Sequence, residues 1–253
     1  MIEGPTKNSW LHTSPVFPPG EWSAGWTDSG GPDFSPDPAS TSQASVVTEL
    51  VEAIGLEKAA WAKQVHGATI VRVSRPGLAG EADGLWTDIP GLGVIGRSAD
   101  CPLVLVGGKR RDGSRVWGFT HASWRSTIQG ITGKLVGLIT DAGTDPTTLT
   151  ATICPSAGPC CYEVGPEVLE AAVTLLGSEV RKFFHGAGTR WILDLWALNT
   201  AQLTAAGVSP GSIHIAGKCT ICGGSRYPSY RRDGADAGRF AAIIGWNQLR
   251  NSP

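Results

Sequence analysis

The stretch Gly91–Val106, GLGVIGRSADCPLVLV, sets the architecture: two runs of small and β-branched apolar residues stand on either side of a polar corner, Ala99-Asp100-Cys101. Each run has the length and composition of a buried strand, and the corner between them exposes side chains at the end of a sheet. Further runs follow on both sides. Ala60–Gln64 and Thr69–Val73 are expected strands interrupted at His66-Gly67, where glycine permits a turn or bulge. Gly84–Thr87 is another, and Arg115–Thr120 is a strand closed by His121. Three groups with chemistry, two imidazoles and a thiol, therefore stand where apolar runs meet turns.

Helical patterns alternate with these runs. Val46, Val47, Leu50, Val51 and Ile54 recur at helical spacing before Gly55, and Ile128, Ile131, Leu135, Leu138 and Ile139 predict one helix over Trp124–Asp141. The N-terminus of that helix would face the site and favour anions. Leu149–Cys154 is an expected strand, Pro166–Leu176 a helix with proline in its first turn, and Asp194 a cap for the helix carrying Leu195, Leu198 and Leu203. Ser212–Ala216 and Phe240–Trp246 are late strands. With no internal repeat and no long linker, residues 1–253 are expected to form one α/β domain of layered sheets, preceded by an irregular arm over residues 1–45 rich in Pro, Gly, Ser and Asp.

Bulk properties narrow the function. The 253 residues carry a net charge of -1, and the basic residues are scattered apart from Lys109-Arg110-Arg111 and Arg231-Arg232, so nucleic acid is not an expected partner. No apolar run approaches the roughly 18 residues that cross a bilayer, and Met1–Gly20 lacks a charged start and an apolar signal core, so a cytoplasmic protein without a membrane partner is expected. Six cysteines in a chain this long suggest free thiols or ligands rather than a disulfide framework. Cys219-x-x-Cys222 lacks the second half of a zinc ribbon and a thioredoxin-type context, and Cys160-Cys161 lies in a turn. The residues alone leave two chemistries open for His66, Cys101 and His121: a zinc site with a fourth place for water or substrate, or a Cys101 thiolate with a histidine base.

Several separated motifs, in order along most of the chain, resemble one family. They are Gln64-Val65-His66-Gly67, Ala82-Asp83-Gly84, Ser98-Ala99-Asp100-Cys101-Pro102, Thr120-His121-Ala122-Ser123-Trp124-Arg125, Gly158-Pro159-Cys160-Cys161-Tyr162-Glu163-Val164-Gly165, Lys218-Cys219-Thr220 and Ser229-Tyr230-Arg231-Arg232-Asp233-Gly234. The family is variously called multicopper polyphenol oxidase (laccase), purine nucleoside phosphorylase of the YfiH type, or peptidoglycan editing factor. The resemblance implies an α/β/β/α layered sandwich related to cysteine-hydrolase-like toxins. It also implies a metal centre of His66, Cys101 and His121, holding zinc or, alternatively, copper, with the same residues as the catalytic set.

The implied activity is phosphorolysis of adenosine, inosine, guanosine and methylthioadenosine, with zinc-dependent adenosine deamination beside it. Purine nucleoside and phosphate are thus the expected partners, and Arg125, Arg231 and Arg232 are the candidates for holding them, since a guanidinium fork matches phosphate oxygens. Copper-dependent polyphenol oxidation, a Cys101-dependent hydrolase or editing factor, and a non-catalytic nucleoside binder are the alternatives; five histidines with no His-x-His pair poorly suit a multicopper cluster. Two departures from the family's usual motifs stand out. Asp28 replaces an expected arginine, and Ser123 and Ser126 stand where two glycines are usual.

Overall fold

The structure is a computed structural model that describes residues 8–187 and 189–247. Two six-stranded sheets face one another. The first has the order Leu11–Thr13, Ser23–Thr27, Phe240–Gly245, Leu92–Ser98, Lys58–Lys63, Gly77–Glu81; the second runs Ile213–Ile215, Thr150–Ile153, Leu103–Lys109, Arg115–His121, Gly84–Thr87, Ile70–Arg72. Successive side chains of a strand point to opposite faces, and this period assigns every core residue to a layer. Leu103, Leu105, Trp117 and Phe119 meet Leu92, Val94, Phe240, Ala242 and Ile244 between the sheets. Their neighbours in sequence point outward. Ile95, Ala241 and Ile243 bury the Val47, Leu50 and Val51 face of the helix Thr41–Ile54, while Val104, Val106 and Val116 pack on Ile131, Leu135 and Ile139 of a helix on the far side. The layers are therefore α/β/β/α, as expected, with a smaller sheet of Glu163–Val164, Arg190–Leu193 and Phe184–Ala187 beside them.

The strands flanking Ala99-Asp100-Cys101 do not pair with each other: Leu92–Ser98 belongs to the first sheet and Leu103–Lys109 to the second. The chain crosses between sheets at that corner. It makes the same crossing twice more, from Lys58–Lys63 to Ile70–Arg72 through His66, and from Gly77–Glu81 to Gly84–Thr87 through Ala82-Asp83. These crossings bring His66, Asp83 and Cys101 to one end of the sandwich, beside His121 at the end of its strand.

Some expectations need correction. The span Trp124–Asp141 is two helices, Trp124–Ile128 and Ile131–Asp141, separated at Gly130, whose φ of 77° is a left-handed conformation that glycine adopts without steric cost. The irregular arm contributes two strands, Leu11–Thr13 and Ser23–Thr27, because the latter pairs with Phe240–Gly245 from the far end of the chain. Residues 1–7 of that arm lie outside the described residues. The first helix begins at Thr41 rather than Val46, since Ser40 caps it by accepting a hydrogen bond from the Gln43 N–H. Among the described residues no helix is long and apolar enough to cross a membrane.

Candidate active site

The crossings need unusual backbone. His66 (φ 61°) and Asp100 (φ 97°) are the only non-glycine residues of positive φ among the described residues, a strain of about 1–3 kcal/mol each that surrounding bonds must hold. For His66 the holder is Asp83, a fully buried carboxylate that accepts from the backbone N–H groups of Val65, His66 and Gly67 at 3.3, 2.9 and 2.7 Å. Gln64 ties this turn to the Cys101 corner, its amide exchanging two hydrogen bonds with the backbone of Arg97 at 2.8 and 2.9 Å. Asp100 is held by the Thr220 hydroxyl at 2.6 Å and the Arg231 N–H at 2.7 Å, so it anchors a loop rather than orienting an imidazole.

Asp83 does a second job. Its Oδ1 lies 2.9 Å from His121 Nδ1, which leaves Nε2 as the free ring nitrogen facing Cys101 and His66. The rings of His66 and His121 meet edge to face with centroids 4.9 Å apart. One ligand atom from each of His66, Cys101 and His121 falls within 4.8 Å of the other two. Thus the three residues named from sequence share one small space.

Their charges are coupled. Burial alone would push the Cys101 thiol up, but the His121 charge and hydrogen bonds from His121 and His66 outweigh it and bring it down to about 6. Burial likewise opposes charge on His121, and the Cys101 thiolate together with Asp83 overcomes it, raising the imidazole to about 9. Burial also disfavours the Asp83 anion, yet His121 and the Gly67 and Val65 N–H groups keep its carboxyl below the usual range. Without metal, then, the centre is a thiolate–imidazolium pair backed by a carboxylate. Cys154, buried with no such partner, has its thiol pushed far up.

The set lies in a cleft of about 540 Å³, within the range of small-molecule sites. Three aromatic–arginine pairs line it. The Arg125 guanidinium sits 4.4 Å from the centre of the Trp124 ring, Arg231 5.3 Å from Tyr162, and Arg239 5.9 Å from Tyr230. Arg125 and Arg231 are exposed to solvent there. Arg232 is not a lining residue, in contrast to the sequence expectation: its guanidinium is spent on the carbonyls of Thr220, Gly224 and Tyr227 and on Asp233, because a helical turn sends adjacent side chains apart. Arg97 lines the cleft but donates to the Phe34 and Pro36 carbonyls. Sequence reasoning missed Tyr230 and Arg239 as wall residues; the Ser-Tyr-Arg-Arg-Asp-Gly motif was the available signal for the first, and nothing pointed to the second.

The unusual serines satisfy each other. Ser123 Oγ lies 2.6 Å from Ser126 Oγ and accepts from the Ser126 N–H, so the pair caps the short helix Trp124–Ile128. That helix has only five residues, and its dipole gives far less than the long helix foreseen. Asp28 does not line the cleft; its Oδ2 lies 2.8 Å from His12 Nε2 and 3.6 Å from Arg226.

The donor set fits zinc. Two imidazole nitrogens and one thiolate are borderline-soft ligands, Asp83 fixes the tautomer of one histidine, and three protein ligands leave a place open toward the cleft. Among the described residues one other group could hold a metal, Cys160, Cys161, Cys219 and Cys222; the partners that the CxxC pair lacks nearby come from across the fold.

Comparison with known proteins accords with this geometry. The family described as multi-copper polyphenol oxidoreductase laccase matches residues 37–247. A purine nucleoside phosphorylase of Xylella fastidiosa (strain 9a5c) is 35% identical over 204 residues, covering 78% of this chain and 75% of that protein. Purine nucleoside phosphorylase YfiH of Escherichia coli K12 is 30% identical over 188 residues, covering 74% and 73%. The crystal structure of YlmD from Geobacillus stearothermophilus superimposes with a TM-score of 0.77 at 28% identity, over 93% of this chain and 94% of that one. With its fold, its ordered motifs and this extent of likeness, the chain belongs to the multicopper polyphenol oxidoreductase (laccase) family.

Proposed function

We propose that this protein is a purine nucleoside phosphorylase, acting on adenosine, inosine, guanosine and methylthioadenosine in the cleft above His66, Cys101 and His121. One observation carries the reading: three aromatic faces, each paired with an arginine, surround the ligand set. A purine needs a flat apolar face, and phosphate needs a guanidinium. Relatives named purine nucleoside phosphorylase support the same reading.

In phosphorolysis a phosphate oxygen bonds to C1′ of the ribose while the C1′–N9 bond breaks and its electron pair leaves with the base, which then takes up a proton. Arg125 and Arg231 hold the phosphate, offset the negative charge of the nucleophile and orient it. Trp124 and Tyr230 hold the base. Burial, with the Cys101 charge, pushes the Tyr162 phenol far up, so it keeps its proton through neutral pH. His66, Cys101 and His121 Nε2 would hold zinc, with Asp83 orienting His121. Zinc held there would supply Lewis acidity to an oxygen bound in the cleft, as where it lowers the ionisation of water to about pH 7. Adenosine deamination, in which water oxygen replaces the 6-amino group and ammonia departs, is the companion activity that such acidity suits.

The test is product analysis. Purified protein is incubated with each of the four nucleosides, with and without phosphate, and the products are separated. Free base and the sugar 1-phosphate are expected only with phosphate, and inosine from adenosine in either case. Absence of free base from every nucleoside in the presence of phosphate and zinc would overturn the assignment.

A second reading, a hydrolase or cell-wall editing factor using Cys101 as nucleophile, is favoured by the Cys101–His121–Asp83 relay. It requires the metal-free protein to be the active form, so chelation separates the two: purine turnover falls and Cys101-dependent hydrolysis appears only if this reading holds. For copper oxidation, no group among the described residues gathers more than two histidines, which leaves a multicopper cluster short of ligands.

A further inference from the structure

Cys160 and Cys161 lie in a turn at one end of the small sheet; Cys219 and Cys222 belong to a loop that follows the strand Ile213–Ile215. The fold brings all four sulfurs within 4.8 Å of one another, with Cys160 and Cys222 sulfurs 3.5 Å apart. A disulfide needs about 2.05 Å. Four sulfurs around a tetrahedral zinc at Zn–S of about 2.3 Å stand about 3.8 Å apart, and the Cys160–Cys222 separation of 3.5 Å is close to that.

The backbone is shaped around one sulfur. Buried Cys219 Sγ accepts from the Gly158 N–H at 3.3 Å, a donor that comes from the turn carrying Cys160 and Cys161. An amide donor on the sulfur offsets the charge of a ligand thiolate; a neutral thiol or a disulfide sulfur does not need it. Glycine makes the wrapping possible. A Cβ on residue 223 would lie 2.4 Å from the Cys219 carbonyl oxygen, and one on residue 158 would lie 2.9 Å from Trp196 and 3.1 Å from Cys219 Cβ. Arg232 locks the loop from behind through the Thr220 and Gly224 carbonyls.

We propose that Cys160, Cys161, Cys219 and Cys222 bind a structural zinc ion, a second metal site separate from His66, Cys101 and His121. Four thiolates fill the tetrahedron and leave no position for water or substrate, so the ion holds structure and does no chemistry. What it holds is the cleft. The first turn runs into Tyr162, and the second loop carries Thr220, whose hydroxyl bonds Asp100 beside Cys101. Joining the two clamps one wall of the cleft to the corner that presents Cys101.

Metal analysis tests the assignment. Protein purified without chelator from zinc-supplemented cells is expected to carry about two zinc ions per chain, Cys101→Ala about one, and the double variant Cys219→Ser/Cys222→Ser about one. If the double variant does not fold, Cys101→Ala is reconstituted with cobalt(II): a strong sulfur-to-cobalt charge-transfer band and tetrahedral ligand-field bands are expected, since the remaining thiolates are those of the four-cysteine cluster. No such band, iron in place of zinc, or a thiol titration of the unreduced, denatured protein that finds four thiols missing would overturn the proposal.

Discussion

Two clusters of metal-capable side chains lie on either side of Asp100, and their differences show how one fold separates chemistry from support. His66, Cys101 and His121 mix nitrogen with sulfur, sit below an open cleft and are oriented by a buried carboxylate. Cys160, Cys161, Cys219 and Cys222 are all sulfur, with the Gly158 amide donating to one of them. The first set leaves a coordination place for something else; the second closes on itself. Donor type and access, not the presence of cysteine, distinguish a working site from a staple.

The largest effect that would sharpen this contrast is expected at Asp83. Asp83→Asn keeps the shape but removes the charge that holds His121 and three backbone N–H groups, so zinc affinity at the His66/Cys101/His121 site should fall about 10–100-fold. Stability should fall by about 3 kcal/mol, as for a broken buried charge network. Competition with a chromogenic chelator and thermal melting measure the two; unchanged affinity would separate Asp83 from the site.

Acidity distinguishes the clusters next. In metal-free protein the lowered Cys101 thiol contributes stability that is full above its ordinary 9.0 and is lost as pH falls through about 6, while the raised His121 contributes stability that is full below 6.5 and lost as pH rises through about 9. The two contributions offset, one growing as the other shrinks, so this pair should leave stability nearly level with pH, and the thiol itself is the readout. Alkylation of Cys101 by iodoacetamide should rise with a midpoint near pH 6, and zinc should suppress it. A midpoint near 9 would break the thiolate–imidazolium pair.

Arg231 and Arg232, neighbours in sequence, should part company. Arg231→Ala is expected to raise the KM for phosphate about tenfold, the equivalent of about 1.4 kcal/mol, with little change in melting temperature. Arg232→Ala should lower the melting temperature and move KM less, since its guanidinium holds loop carbonyls. The smallest effect is expected at Ser126→Ala, which loses one hydrogen bond in the helix cap and should cost about 1 kcal/mol in urea unfolding.

The contrast also marks what the sequence made legible. Gly91–Val106 and Arg115–His121 were readable as strands because their apolar runs end at glycines, prolines and charges, and the helix Pro166–Leu176 is bounded by a proline and a glycine. Gly77–Glu81 was not, since GLAGE has no apolar alternation and is held by pairing with Lys58–Lys63. The break at Gly130 hid within a spacing that continues through Ile131. At the site, the three ligand candidates were visible through their motifs, but the crossings that unite them depend on which sheet each strand joins. The four-cysteine cluster was least legible of all: Cys160 and Cys222 stand 62 residues apart, and each half alone resembles a turn.

The most direct measurement compares adenosine phosphorolysis by Cys101→Ala and by Cys219→Ser/Cys222→Ser, assayed below both melting temperatures. If His66, Cys101 and His121 are the chemical centre, Cys101→Ala loses turnover by about a thousandfold or more, some 4 kcal/mol, while its melting temperature stays near that of the parent; the double variant melts earlier yet still releases adenine. Undiminished adenine release by Cys101→Ala, in a parent protein that is itself active, would contradict the account.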